Sequence, residues 1–218
     1  MRRRGEAGQS GIFTAYLQNA YLALFALRSA GYDPVMNSPE GMPKNIVLIG
    51  LMGCGKTTVG RKLNGLLGYP LIDTDHVIEE KTGMSIPEIF ARRGEQAFRD
   101  LESAVLQELS APGQPRRIIA TGGGIVGRRA NRKALSKLGY VVWLQAPVDV
   151  IIQRTSRNGN RPLLQTADPR GKIEQLIIER SPLYHEIADL ELDTAGLETE
   201  EIACGILESA RYHFAAKA

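Results

Sequence analysis

From Lys44 onward the chain alternates short apolar runs with segments of helical spacing. Asn45–Ile49 is a β-branched apolar run, the pattern of a strand buried on both faces. Gly55–Leu67 is helical in period and stops at Gly68. Tyr69–Ile72 reads as a second strand. Ser85-Ile-Pro-Glu88 forms a capping box with Pro just inside a helix start, and Gln96–Leu109 is a long helix. Arg117–Ala120 and Tyr140–Gln145 are further strands, Pro147–Arg157 and Lys172–Ala188 further helices. Leu190–Leu192 is a last strand and Thr199–His213 a last helix. Such alternation predicts an α/β fold with a parallel sheet covered by helices on both faces. Asn158–Gly171 is longer than most connections in a compact domain, and its functional reading is a mobile lid over a nucleotide.

Residues 1–43 follow a different pattern. Ile12, Tyr16, Leu17, Tyr21, Leu24 and Leu27 recur near helical spacing, and the Gly- and Pro-rich stretch from Gly31 to Lys44 reads as a linker. The chain therefore divides into an N-terminal extension, 1–43, and a domain, 44–218. An appended segment, a start at Met42 and a transit peptide all fit the extension.

Charge removes several function classes. The net charge is +3, and the extension holds Arg2, Arg3, Arg4 and Arg28 against Glu6, Asp33 and Glu40. What remains is too balanced to form a basic stripe for nucleic acid. No apolar run reaches the roughly 20 residues of a membrane span. Cys54 and Cys204 form no CxxC pair, so a reducing compartment is expected, and His76, His185 and His213 lack metal-ligand spacing.

The strongest chemical signal is Gly50-Leu-Met-Gly-Cys-Gly55-Lys56-Thr57, which matches G-x-x-x-x-G-K-[ST] between a strand and a helix. Its glycines let backbone N–H groups approach phosphates, and the helix N-terminus adds positive potential. Lys56 suits β/γ-phosphate charge and the Thr57 hydroxyl suits Mg²⁺. Cys54, inside the loop, reads as a small residue filling a small space. Asp73-Thr-Asp75 closes the second strand, at the sheet edge where ligands gather. One carboxylate there can support Mg²⁺ while the other takes a hydrogen bond from a hydroxyl; alternatively, Asp75 is only a helix N-cap. Arg99 and Glu102, at i and i+3, suit a carboxylate-binding guanidinium and its holder. Phe90 and Phe98 nearby are either a wall for a ring or plain core. Thr121-Gly-Gly-Gly124 follows the third strand, and three glycines there favour backbone contact with a ligand. Arg154, Arg161 and Arg180 complete the set, Arg161 in the lid segment where closure would bring it to a transferring phosphoryl group.

Taken in order, GLMGCGKTTVGRKL, DTD, GE-x-x-FRDLE, TGGG, RPLL and ER-x-PLY resemble the shikimate kinase family from Lys44 to the C-terminus. The resemblance implies a three-layer P-loop kinase fold, similar to nucleoside monophosphate kinases, with a five-stranded parallel sheet and a lid. It implies ATP and Mg²⁺, and transfer of phosphate to the 3-hydroxyl of shikimate, a step of aromatic amino-acid biosynthesis. Asp75 then corresponds to the residue that orients or deprotonates the hydroxyl, Asp73 to a support for Mg²⁺ beside Thr57. Arg99 and Arg180 correspond to the carboxylate clamp, Glu102 to the holder of Arg99, and Gly122, Gly123 and Gly124 to backbone contacts. Gly53, Cys54, Gly55, Lys56, Thr57 and Thr58 correspond to the phosphate loop, Arg161 to the lid arginine and Arg154 to the adenine-stacking residue. A cytoplasmic monomer without nucleic-acid or membrane partners is expected, plastidial only if the extension is a transit peptide. The competing readings are a kinase of another small hydroxy acid and a nucleotide-binding module without turnover. The extension, which most members lack, is the departure from the family pattern.

Overall fold

In the computed structural model, which describes residues 45–156 and 166–215, the apolar run Asn45–Ile49 (β1) becomes the middle strand of five. The others are Leu71–Asp73 (β2), Arg117–Ala120 (β3), Tyr140–Gln145 (β4) and Leu190–Asp193 (β5). All are parallel, in the order β2-β3-β1-β4-β5. Val47 lies opposite Ile119 and Val141. Side chains alternate across the sheet, so Val47, Ile49, Ile119, Val141 and Trp143 enter one core and Ile46, Leu48, Ile118, Val142 and Leu144 the other. Burial on both faces is the reason these strands read as continuous apolar runs.

Parallel strands need crossovers, and helices supply them. Lys56–Leu67 (α1) and Thr199–Ala215 (α7) cover one face, with Leu63, Ile202 and Ile206 against the sheet. Ile86–Leu109 (α3), Arg129–Leu138 (α4) and Pro169–His185 (α6) cover the other, with Phe98, Leu106, Leu135 and Leu176 inside. Thr74–Thr82 (α2) and Val148–Ser156 (α5) complete the seven helices of the described residues, and a 3₁₀ turn spans Ile125–Gly127. None of the described helices is long and apolar enough to cross a membrane. The three-layer architecture and five strands agree with expectation.

Several elements differ in detail. β2 starts at Leu71 rather than Tyr69 and runs straight into α2, which the sequence pattern did not signal because only Thr74 and Ile78 of its nine residues are buried. α4 was equally hidden: it buries Asn131, Leu135 and Leu138 but is otherwise crowded with Arg and Lys. α3 is bent at Gly94 (φ 78°), so the capping-box helix and the helix over 96–109 are two segments meeting at a kink. α6 begins at Pro169, inside the expected lid, because Asp168 caps it by accepting from Gly171 N at 2.9 Å. Arg161, the rest of the lid motif and the extension 1–43 lie outside the described residues.

Candidate active site

At the carboxyl end of β1 the backbone turns through Gly50–Gly55 and enters α1. A Cβ on Gly50 (φ +134°) would sit 2.2 Å from the Leu144 carbonyl, so only glycine lets the loop lie this close to β4. Gly50→Ala is expected to destabilise the fold by about 2–4 kcal/mol, read in thermal melts, and to weaken ATP binding with it. The first N–H groups of α1 have no intrahelical partners, which suits an anion. Lys56 Nζ lies across the loop, donating to the carbonyls of Gly50 (2.8 Å) and Leu51 (2.7 Å). Cys54 is 1% exposed and packs beneath the loop, as its small-filler reading requires.

Thr57 Oγ1 donates to Asp73 Oδ2 at 2.8 Å. The other Asp73 oxygen caps α2 by accepting from Asp75 N at 3.1 Å. The cap of this helix is therefore Asp73, and Asp75 stands in its first turn, half-buried. A hydroxyl held beside a carboxylate fits a hard divalent cation, so Thr57 and Asp73 are the residues that could hold Mg²⁺. Arg154 Nη1 donates to Gly53 O at 3.2 Å and reaches Thr194 Oγ1 at 3.4 Å. Lys56, Thr57, Asp73, Asp75, Gly123 and Arg154 all line one cleft of about 430 Å³.

The glycine turn joins this cleft to a cluster of Asp75, Glu102 and Arg99. None of its three glycines has positive φ, so contact rather than dihedral strain requires them. A Cβ on Gly122 would stand 2.5 Å from Glu102 Oε1 and 2.6 Å from Asp75 Oδ1. On Gly123 it would press on Gly50 O at 3.3 Å, and on Gly124 it would reach Arg99 Nη1 at 2.1 Å. The turn is pinned by Thr121, whose N–H and hydroxyl both donate to Leu48 O, and by Gly122 N donating to buried Thr74 Oγ1 at 3.0 Å.

Behind the turn, Arg99 Nη1 donates to fully buried Glu102 at 2.7 Å, and its Nε and Nη2 donate to Glu95 Oε1. Burial pushes the Glu102 carboxyl up and the Arg99 charge pulls it back. Burial works against the guanidinium, but Glu102 and Glu95 outweigh it, so the Arg99 pKa rises. We take the pair as ionised at neutral pH, because a guanidinium 2.7 Å away stabilises the carboxylate directly. Arg180, on α6, lies among the charges that act on Glu102, and its Nη1 is buried with no hydrogen-bond partner among the described residues. A buried donor in that state is costly unless an acceptor reaches it, which fits an anionic ligand group. Phe98 is core, 4% exposed, and half-buried Phe90 packs against it with ring centroids 5.0 Å apart.

The structure thus brings together every expected site residue within the described set. It adds four the motifs did not single out: Thr74, Glu95, Thr121 and Tyr184, whose hydroxyl donates to Gly123 O. Tyr184 could have been found from its spacing, one helical turn after Arg180 in the ER-x-PLY motif.

The family profile described as shikimate kinase matches residues 52–211. The shikimate kinase of Halorhodospira halophila is 48% identical over 167 residues, covering 77% of this chain and 93% of that protein. That of Bordetella avium is 47% identical over 176 residues, 80% of this chain and 82% of the other. The solved structure of shikimate kinase from Acinetobacter baumannii in complex with shikimate is 46% identical, with a TM-score of 0.72, covering 75% of this chain and 90% of that one. With family profile, close relatives and fold in agreement, the chain belongs to the shikimate kinase family.

Proposed function

We propose that this protein transfers the γ-phosphoryl group of ATP to the 3-hydroxyl of shikimate. The observation that carries the reading is the Gly122–Gly124 turn, which touches the phosphate loop through Gly123 and touches Asp75, Glu102 and Arg99 through its neighbours. An anion cradle and an acid-plus-guanidinium pocket therefore share one wall. A substrate that carries both hydroxyls and a carboxylate needs both halves of that second pocket.

In this reading the Gly53–Thr58 backbone and Lys56 hold the phosphates, and Arg154 flanks the nucleotide beside Gly53. Thr57 and Asp73 would hold Mg²⁺, which neutralises developing phosphate charge when bound. Arg161 is assigned to the phosphates on the strength of the family motif alone. Asp75 binds the attacking hydroxyl and takes its proton as the bond to phosphorus forms. Arg99 and Arg180 clamp the carboxylate, Glu102 fixes Arg99, and Gly122 to Gly124 contact the ring through backbone. We assign the monomer as the working unit. Two free buried cysteines suit a reducing cytoplasm.

The test is steady-state kinetics on shikimate, gluconate and nucleoside monophosphates. Shikimate is expected to exceed each alternative by at least about 10³-fold in kcat/KM, because a mismatched acceptor leaves buried polar groups unpaired. Preference for any other acceptor overturns the assignment.

A further inference from the structure

Tyr184 is 1% exposed on α6, its ring against Trp143 with centroids 5.5 Å apart. The ring alone would fill that space. The hydroxyl does more: it donates to the carbonyl of Gly123, the middle residue of the glycine turn, and the Arg180 guanidinium lies beside it. Burial pushes the phenol well above the ordinary tyrosine value, so it remains a proton donor at any working pH.

A trans peptide is planar, so its C=O and N–H point in opposite directions. Fixing the Gly123 carbonyl therefore fixes the direction of the Gly124 N–H. Gly124 is the residue packed against Arg99, with Nη1 only 2.1 Å from where its Cβ would stand. Arg180, one turn before Tyr184 on α6, has a buried Nη1 that awaits an acceptor. A single phenol oxygen thus holds a backbone unit next to one guanidinium and stands beside the other. Nothing else among the described residues hydrogen-bonds the Gly123 carbonyl.

We propose that Tyr184 is a positioning residue for the acceptor's carboxylate, setting the Gly124 N–H and the Arg180 guanidinium so that both converge on one anion. The proposal rests on the shikimate reading above. It extends the site into the core layer, where the motif's tyrosine would otherwise count only as packing.

The experiment compares wild type with Tyr184→Phe, which keeps the ring. Two acceptors are used: shikimate, and its analogue with the carboxylate replaced by a hydroxymethyl group. With shikimate, KM is expected to rise about ten-fold while kcat and KM for ATP stay within about two-fold. With the analogue, kcat/KM is expected to be the same for both proteins, since the carboxylate that Tyr184 serves is missing. An unchanged KM for shikimate overturns the proposal. So does an equal loss with both acceptors and with ATP, or a variant that fails to fold, because either makes the hydroxyl a structural requirement only. Wild-type protein that ignores shikimate altogether contradicts the functional reading instead, whatever the variant does.

Discussion

Asp75→Asn is expected to lower kcat for shikimate phosphorylation by about 10²–10⁴-fold while leaving KM for ATP within about two-fold. The expected split follows from where Asp75 stands. Its backbone N–H is tied to Asp73, so the cap of α2 is made by the Asp73 carboxylate. Its carboxylate lies against Gly122 on the acceptor side of the turn and lines the cleft that Lys56 and Thr57 share. Asparagine keeps the shape and can still accept a hydrogen bond from a hydroxyl. It cannot take the proton or supply the negative charge that favours the developing alkoxide. The nucleotide half is expected to be spared, because Asp73 accepts from the Thr57 hydroxyl. Initial rates with each substrate varied in turn, together with ATP binding measured by calorimetry, check the split. Loss of ATP affinity comparable to the loss of turnover would move Asp75 into the phosphate site and contradict its role.

Arg99→Leu is the second change with a large expected effect, and it acts twice. In the proposed scheme, removing the guanidinium removes half of the carboxylate clamp, so KM for shikimate is expected to rise by at least about 10²-fold, in line with the loss of a charge-assisted contact. It also leaves Glu102, fully buried, without its closest cation. Breaking a buried pair from one side costs about 3–5 kcal/mol, which for a domain of this size lowers Tm by roughly 10 °C. The double variant Arg99→Leu with Glu102→Leu separates the two effects. Replacing both charges by apolar groups is expected to recover most of the Tm while leaving KM as high as in the single variant. Thermal melts and acceptor kinetics on the three proteins check this. Recovery of binding in the double variant would mean that Arg99 matters for folding and not for the substrate.

How much of this could be read in the sequence depended on how each residue does its work. The strands were legible because sheet positions buried on both faces leave uninterrupted β-branched runs, as in Asn45–Ile49 and Tyr140–Gln145. The phosphate loop was legible because its glycines and lysine act at fixed local spacing. Asp75, Arg99 and the glycine turn could be named, but their mutual contact could not, since it depends on a parallel register that sets β2 beside β3 and so brings Asp73 level with Ala120. α2 and α4 stayed hidden because helices that bury two or three residues leave too thin an apolar stripe. The alternative reading of Asp75 as a helix cap does not hold, because β2 and α2 share no intervening loop and the strand's last residue, Asp73, doubles as the cap. Tyr184 was passed over for a different reason. A tyrosine that follows Pro-Leu near a helix end looks like core, and only the three-dimensional path of the glycine turn reveals what its hydroxyl holds.

In the proposed reaction the glycine turn is a common wall between the phosphate cradle and the acid-plus-guanidinium pocket, so that one phosphoryl group can pass between them. A crystal structure with Mg²⁺, a non-hydrolysable ATP analogue and shikimate tests this most directly. The 3-hydroxyl is expected beside Asp75, the carboxylate on Arg99 and Arg180, and the hydroxyl oxygen about 3–3.5 Å from the terminal phosphorus in line with the bond to be broken. Shikimate bound with its carboxylate toward Lys56, or with no hydroxyl near Asp75, would contradict it.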